Sequence, residues 1–357
     1  MNHPPTLRLA LFAMLSTTAA CGFTSGQTDL IGQGDTQTVP ARNTTLIADG
    51  CTLDAWQMEA LASPMTKRFV AEVVLLCLVP RSDGTVGPND PSARAALDAL
   101  VGQIHGLGYR AKLGASFTTE NGYVFDPAQE AAELTDAAWV GAVTTNIAGL
   151  AHAADGVELD LEQLPASARP GVTSLAAALA GKIRPQKQLG VFLPPSDVAS
   201  AAAFDVGTLA QYTDRFRVMT LDFSDQAAGP TIDSGWAVDM VRAVKPSAGS
   251  AAVDVSFPLY GNDFSSGGVR AVSYLEAVGL AGTFGAKPQR SASQELFFDY
   301  LDAQNVSHEL WYDDTQSTLA TLRAWDSTAL PLDVGVVLYG FGSEDPALLR
   351  AIGQATP

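Results

Sequence analysis

The sequence predicts an α/β chain closed into a (β/α)8 TIM barrel. Three observations carry that expectation. Eight apolar, β-branched-rich runs alternate with stretches whose apolar residues recur at helical spacing, the pattern of parallel strands joined by helices. The chain has 357 residues, and eight strand–helix units in about 300 of them fit a closed barrel better than an open doubly wound sheet. No Gly-x-Gly-x-x-Gly follows the first run, which weakens the dinucleotide-binding alternative.

The expected strands, in order, are 45–49; 71–79, ended by the turn-like Arg81-Ser-Asp-Gly84; 109–115; 155–162; 189–193; 216–223; 251–257; and 334–339. Helices are expected over 92–107 and over 128–153, the second delivering the fourth strand. An interval of about 75 residues separates the seventh and eighth strands and must hold an insertion, because structureless loops of that length are uncommon. There is no internal repeat and no long low-complexity segment. The barrel is expected over 44–352.

The fourth strand, Asp155-Gly-Val-Glu-Leu-Asp-Leu-Glu162, organises the functional reading. A strand's period of two sends Val157, Leu159 and Leu161 to one side and Glu158, Asp160 and Glu162 to the other. Alternate side chains then stand about 6–7 Å apart, at a rise of about 3.3 Å per residue. Like charges at that spacing, partly desolvated, push at least one pKa upward. A fold tolerates this where it needs a protonated carboxylic acid beside an ionised one. The plain alternative is a half-exposed strand with a solvated acidic face. Strands in α/β surroundings are usually buried on both faces, which favours the functional reading.

Barrel active sites gather at the C-terminal ends of the strands. Glu162 belongs at that mouth, with Asp160 and Glu158 progressively deeper. Other strand ends offer Asp222, Tyr260 and Tyr339, with Phe223, Phe257 and Phe341 nearby. Carboxylates with aromatic walls suit a carbohydrate, whose apolar faces stack on rings while its edges hydrogen-bond. Trp139, Trp236 and Trp325 read as core residues, Trp56 as core or glycan contact, and Asp313 and Asp314 as caps of a helix beginning near Ser317.

Composition narrows the partners. Hydrophobic residues make up 47% of the chain, enough for a substantial core, and the net charge is −17, from 38 acidic and 21 basic residues. Such a surface repels phosphate backbones, so no nucleic-acid partner is expected. The four histidines stand apart and there is no Cys-x-x-Cys, so neither a metal nor a cofactor is expected. A monomer is.

Residues 1–20 read as an export signal: Arg8, an apolar run over 9–15, then small residues before Cys21. Thr18-Ala-Ala-Cys21-Gly resembles a bacterial lipoprotein box, which would make Cys21 the lipid-attachment site. Thr18 stands where leucine is usual, so ordinary signal-peptidase cleavage is the second reading and a retained anchor the third. The protein is expected to be exported, as an envelope lipoprotein or otherwise periplasmic or secreted, with membrane contact only through the lipid. Residues 21–43 read as a flexible tether. Cys51 and Cys77 are read as falling in two consecutive strands, where bridging is geometrically awkward, and are expected as buried free thiols rather than a disulfide.

The fourth-strand segment resembles the Asp-Gly-x-Asp-x-Asp-x-Glu signature of glycoside hydrolase family 18, the chitinase family. Met219-Thr-Leu-Asp222 resembles its sixth-strand Met-x-Tyr-Asp, and Phe257-Pro-Leu-Tyr-Gly261 its Pro-x-Tyr-Gly block. Trp311-Tyr-Asp-Asp-Thr-Gln-Ser317 and Tyr339-Gly-Phe-Gly-Ser-Glu-Asp345 look most like the spore-germination and cortex-lytic branch, which acts on peptidoglycan. The resemblance implies hydrolysis of β-1,4-linked N-acetylglucosamine glycans by substrate-assisted retention, without an enzyme nucleophile. It implies Glu162, Asp160 and Glu158 as catalytic residues, Glu162 as general acid and base and Asp160 as the residue orienting the substrate's acetamide, and Met219, Asp222, Tyr260 and Tyr339 as substrate-binding residues.

Three departures stand out. Glu158 replaces an aspartate and is expected to share a proton with Asp160. Leu221 replaces a tyrosine whose hydroxyl would hold the acetamido oxygen, and losing one such donor can cost on the order of 10²-fold in rate. Tyr339 replaces a tryptophan. These changes leave open a catalytically weak or inactive glycan-binding protein. A metal-dependent enzyme using the three acids as oxygen ligands is a remote third, because ligands from one strand make a poor octahedral cage.

Overall fold

The computed structural model describes residues 38–88, 90–118, 124–195, 198, 203–326 and 328–357. The expected signal, Cys21 and most of the expected tether lie outside the described residues. The strands are β1 (Thr44–Asp49), β2 (Val70–Pro80), β3 (Val86–Pro88), β4 (Arg110–Ser116), β5 (Gly156–Asp160), β6 (Gln188–Leu193), β7 (Arg215–Val218), β8 (Ala252–Pro258), β9 (Gly261–Ser265), β10 (Gly268–Val272), β11 (Gln289–Arg290), β12 (Leu296–Leu301), β13 (Ser307–Tyr312) and β14 (Gly335–Tyr339).

Eight of them run in the order β1-β14-β8-β7-β6-β5-β4-β2, every neighbour parallel, and β1 pairs with β2 to close the ring. This is the closed barrel that the sequence predicts, with β3 folded back antiparallel on β2. The insertion between β8 and β14 is a five-stranded antiparallel sheet, ordered β10-β9-β13-β12-β11, with the helix Tyr274–Phe284 packed on one face.

Side chains alternate across each barrel strand. Outward-facing Leu46, Val73, Leu75, Leu113, Val157, Leu159 and Val191 pack beneath the surrounding helices. Inward-facing residues form layers. Thr45, Glu72, Lys112, Glu158, Arg217 and Asp254 make a charged floor. Above it sit Ile47, Val74, Leu76, Phe192, Met219, Leu221 and Val337, an apolar layer against which Tyr339 packs. The mouth lies above that.

Besides the fourth and sixth strands, which end earlier than expected, at Asp160 and Val218, the structure departs from the expected elements in four places. The helix expected over 128–153 is two, Pro127–Glu133 and Ala137–Leu150, because Asp136 caps the second by accepting from Ala138 N at 2.8 Å. The helix expected over 92–107 begins as a 3-10 turn, Pro91–Ala96, and becomes α-helical over Leu97–Gly106. Residues 38–43, expected as the end of the tether, are bound to the barrel. Val39 N donates to Ala355 O, and the Arg42 guanidinium donates to the carbonyls of Trp325, Leu330 and Val334.

The fourth departure concerns the cysteines. Cys51 and Cys77 form a disulfide, with Cα atoms 5.1 Å apart. Cys51 is not a strand residue: Gly50, at φ 133°, turns the chain past the end of β1, where Asp49 is already in register with Leu76. The bridge therefore links a turn to a strand, which removes the geometric objection to pairing neighbouring strands.

Candidate active site

The site forms at the C-terminal end of β5. Asp160 is the last residue of that strand and Glu162 lies just past it, 3% and 6% exposed. Gln163 follows at φ 59°, a left-handed conformation uncommon for a non-glycine residue, so the chain turns sharply after Glu162. Asp160 Oδ2 accepts from Ser116 Oγ at the end of the adjacent β4, at 2.7 Å. Ser116 and Asp160 are direct register partners, which is why the bond can form.

Glu158 does not join that pair. Its Oε1 accepts from Lys112 Nζ at 2.9 Å and Arg217 Nη2 at 2.7 Å, with all three side chains sealed from water. Burial alone would raise its pKa, but Arg217 and Lys112 outweigh it and hold the carboxyl below its ordinary value. The expected proton sharing with Asp160 is thus replaced by a structural ion network. The extra methylene of glutamate reaches sideways as well as down: a Cβ at Gly190 would lie 1.6 Å from Glu158 Oε2, so the glycine makes room for it. Glu72 belongs to the same network. Against the cost of burial, Arg217, Lys112, Arg110 and Arg215 bring its carboxyl down to about 2.

Across the barrel, Asp222 stands at φ 54° beyond the end of β7, and its Oδ1 accepts from Tyr260 Oη at 3.0 Å and Asn262 Nδ2 at 3.1 Å. The Tyr260 and Tyr339 rings meet edge to face, 6.4 Å between centroids. Burial, and then the charges of Asp49, Asp160 and Glu162 with the Tyr260 hydroxyl, raise the Tyr339 hydroxyl well above its ordinary pKa. The structure therefore brings Asp160, Glu162, Tyr339, Tyr260 and Asp222 to one mouth. Met219 is placed lower, 4% exposed in the apolar layer beside Leu221.

Four residues at the site were missed from sequence: Ser116, Asn262, Asp49 and Glu130. Asp49 ends β1 on the parity of Thr45 and Ile47, a signal that the two-residue period contained. Asp49 is exposed at the strand end, yet desolvation of its carboxyl raises it to about 6, opposed by the Tyr339 hydroxyl. Glu130, on the helix Pro127–Glu133, is 4% exposed, and among the described residues neither of its carboxylate oxygens has a hydrogen-bond partner. Burial, then the charges of Asp160, Glu162 and Glu133, push it up to about 10, so it is neutral at ordinary pH. Nothing in its local sequence separates it from a solvated helix glutamate.

The remaining residues fall as follows. Trp139 and Trp325 are core, and Trp236 is half-buried against the core and Phe223. Trp56 packs on Phe341, 6.1 Å between ring centroids. Asp314 caps the helix Thr315–Ala324 by accepting from Ser317 N at 2.9 Å. Asp313 instead faces Glu295 and Thr231 in a buried cluster. Among the described residues no group of His, Cys, Asp and Glu side chains is arranged to hold a metal ion.

No family model and no curated protein matches the chain. Solved structures share its fold. The spore cortex-lytic enzyme SleL of Bacillus cereus superposes with a TM-score of 0.72 at 19% identity, over 90% of this chain and 76% of that one. A chitinase from Chromobacterium violaceum gives 0.70 at 22% identity, over 88% and 99%. A glutamate-to-glutamine mutant of the class V chitinase from Nicotiana tobaccum, in complex with NAG4, gives 0.66 at 13% identity, over 88% and 98%. At these identities the likeness establishes the fold that this chain shares with chitinases and cortex-lytic enzymes.

Proposed function

We propose that this protein is an exported glycoside hydrolase of family 18 that cleaves β-1,4-linked N-acetylglucosamine glycans of the chitin or peptidoglycan type. The observation that carries the reading is the placement of Asp160 and Glu162, both buried, at the end of β5, with Ser116 holding Asp160 and Tyr339 at the end of β14 on the same mouth. In this mechanism Glu162 gives its proton to the glycosidic oxygen as the bond to the anomeric carbon breaks. The substrate's acetamido carbonyl oxygen closes on that carbon to form an oxazolinium ion, and Asp160 orients the acetamide and offsets its positive charge. Water then opens the ring while Glu162 takes back a proton.

Export is part of the proposal. The N-terminal apolar run and Cys21 suggest it, and the Cys51–Cys77 bond supports it, since disulfides persist in oxidising compartments.

The second reading, a glycan binder of low activity, is favoured by Leu221. It sits in the apolar layer beside Met219 and Phe192 and has no hydroxyl to offer an acetamido oxygen. Release of reducing ends from N-acetylglucosamine oligomers and from purified peptidoglycan, compared with Glu162→Gln, decides between the two. Activity lost at least 10²-fold in the variant supports the hydrolase. Binding without turnover in either protein supports the second reading.

A further inference from the structure

The turn that carries Asp222 is held by the insertion from two sides. On one side Asn262 donates to Asp222 Oδ1. The next amide, Phe223 N, donates to Thr231 O at 2.9 Å, and Ser224 N donates to Pro230 O at 3.2 Å, so the chain leaves the mouth at Asp222 and returns at Thr231. On the other side Glu295, the residue before β12, grips that return. Its Oε2 accepts from Thr231 N at 2.9 Å and Thr231 Oγ1 at 3.2 Å, and its Oε1 accepts from Ile232 N at 3.2 Å. Glu295, Thr231 and Ile232 are all buried.

A second carboxyl meets the first there. Leu296 and Tyr312 are register partners, so Glu295, just before one strand, and Asp313, just after the other, come together. Asp313 Oδ2 lies 3.4 Å from the same Thr231 Oγ1, and Asp313 Oδ1 has no hydrogen-bond partner among the described residues. A hydroxyl has one proton and cannot donate to both carboxyls at once. Two buried acids converging on one donor fit together when the pair itself holds a proton, which supplies the missing donor and removes the repulsion. Burial drives both toward that form. The Asp313 charge adds to it at Glu295; at Asp313 the Ser317 hydroxyl opposes it, the Asp314 charge adds to it, and Arg290, engaged with Asp314 at 2.6 Å, opposes it.

We propose that Glu295 is a positioning residue for Asp222, acting through Thr231, and that a proton held between Glu295 and Asp313 keeps this grip closed, so that alkaline pH loosens the site without touching the acids of β5. This rests on the reading that places Asp222 among the substrate-binding residues. When the pair loses its proton, two negative charges face each other out of reach of water, and the turn gives way to let water in. Thr231 and Ile232 then lose their acceptor, and Asp222, held at φ 54°, loses its support on that side.

Two readouts in the full protein test this. The first is hydrogen exchange of the peptide 222–232, corrected for the intrinsic rate. Protection is expected at about pH 5.5, with a roughly tenfold loss by about pH 8.5. Asp313→Asn, which cannot ionise, should keep protection at both. Glu295→Gln, which offers one acceptor oxygen where the carboxyl offers two, should lack it at both. The second is the dissociation constant of N-acetylglucosamine trimer in proteins that also carry Glu162→Gln, which takes the titration of the general acid out of the measurement. Binding should weaken about tenfold over the same range, hold level with Asp313→Asn and be weak throughout with Glu295→Gln. Asp313→Asn keeps the experiment readable if Glu295→Gln fails to fold. Exchange or binding that does not change with pH, or that changes equally with Asp313→Asn, would overturn the proposal. Exchange that follows the expected pattern in a protein that binds the trimer at no pH would uphold the proton-held grip and overturn the functional reading instead.

Discussion

Lys112 Nζ and Glu158 Oε1 are 2.9 Å apart in the barrel floor, and neither side chain reaches water. Arg217 completes the arrangement, contacting Glu158, Glu72 and Asp254. Removing one member of a buried ionic cluster leaves an uncompensated charge, at a cost of about 3–5 kcal/mol. Glu158→Gln is therefore expected to lower the urea midpoint by that equivalent, while Glu162→Gln leaves the midpoint close to that of the parent. A Glu158→Gln protein as stable as the parent but inactive would return Glu158 to the chemistry, where the motif alone would put it.

The Cys51–Cys77 bond closes a loop with a sequence separation of 26 residues. Chain-entropy arguments give such a bridge about 3–4 kcal/mol. Reduction under native conditions, or the double variant Cys51→Ala with Cys77→Ala, should lower stability by a substantial part of that. Thiol titration of the unreduced, unfolded protein should find neither cysteine free. Titration of both would restore the free-thiol expectation.

The barrel was legible because its signal repeats: eight apolar runs, each with a two-residue period, separated by helical spacing. The same period placed Asp160 and Glu162 on the inner face and the mouth, and it correctly turned Glu158 inward. What it could not say was whom Glu158 meets. Lys112 comes from β4 and Arg217 from β7, partners brought together only by ring closure. Asn262 and Ser116 share that difficulty, being ordinary residues that gain a role from the strand beside them. Cys51 was misjudged for a local reason, the turn at Gly50 that takes it off the strand.

The pair Glu295 and Asp313 sets a pH dependence. Thr231 and Ile232 donate to Glu295, and the Thr231 hydroxyl also reaches Asp313 at 3.4 Å, so the cluster ties the insertion sheet to the chain after β7. Burial raises Asp313 to about 7, against the opposing Ser317 hydrogen bond. Burial and then the Asp313 charge raise Glu295 well above the usual carboxylate range. A carboxyl whose folded pKa is raised contributes stability that is fully present below its unfolded pKa, near 4, and is lost as pH climbs through the folded value. Unfolding temperature should therefore fall between about pH 4 and 7. Asp313→Asn, which cannot ionise, should flatten that slope by a difference of roughly 2–4 kcal/mol across the window. Parallel slopes in the two proteins would show that Asp313 is not the titrating group.

Glu130 offers the sharpest electrostatic test, because its assigned state is neutral although it stands among acids. Its two oxygens have no hydrogen-bond partner among the described residues, and the charges of Asp160 and Glu162 add to burial in keeping the proton on. Glutamine copies a protonated glutamic acid in shape and charge, so Glu130→Gln should leave both kcat and the alkaline limb of the pH–rate profile where they are. That limb reports the proton on the general acid. An ionised Glu130 would behave differently: taking its negative charge away would ease ionisation of Glu162 and move the limb to lower pH by about one unit. Glu130→Ala, which exchanges the carboxyl for a void beside the acids, should reduce kcat in either case. The position of the alkaline limb in Glu130→Gln is thus the measurement that separates a neutral third acid from a charged one.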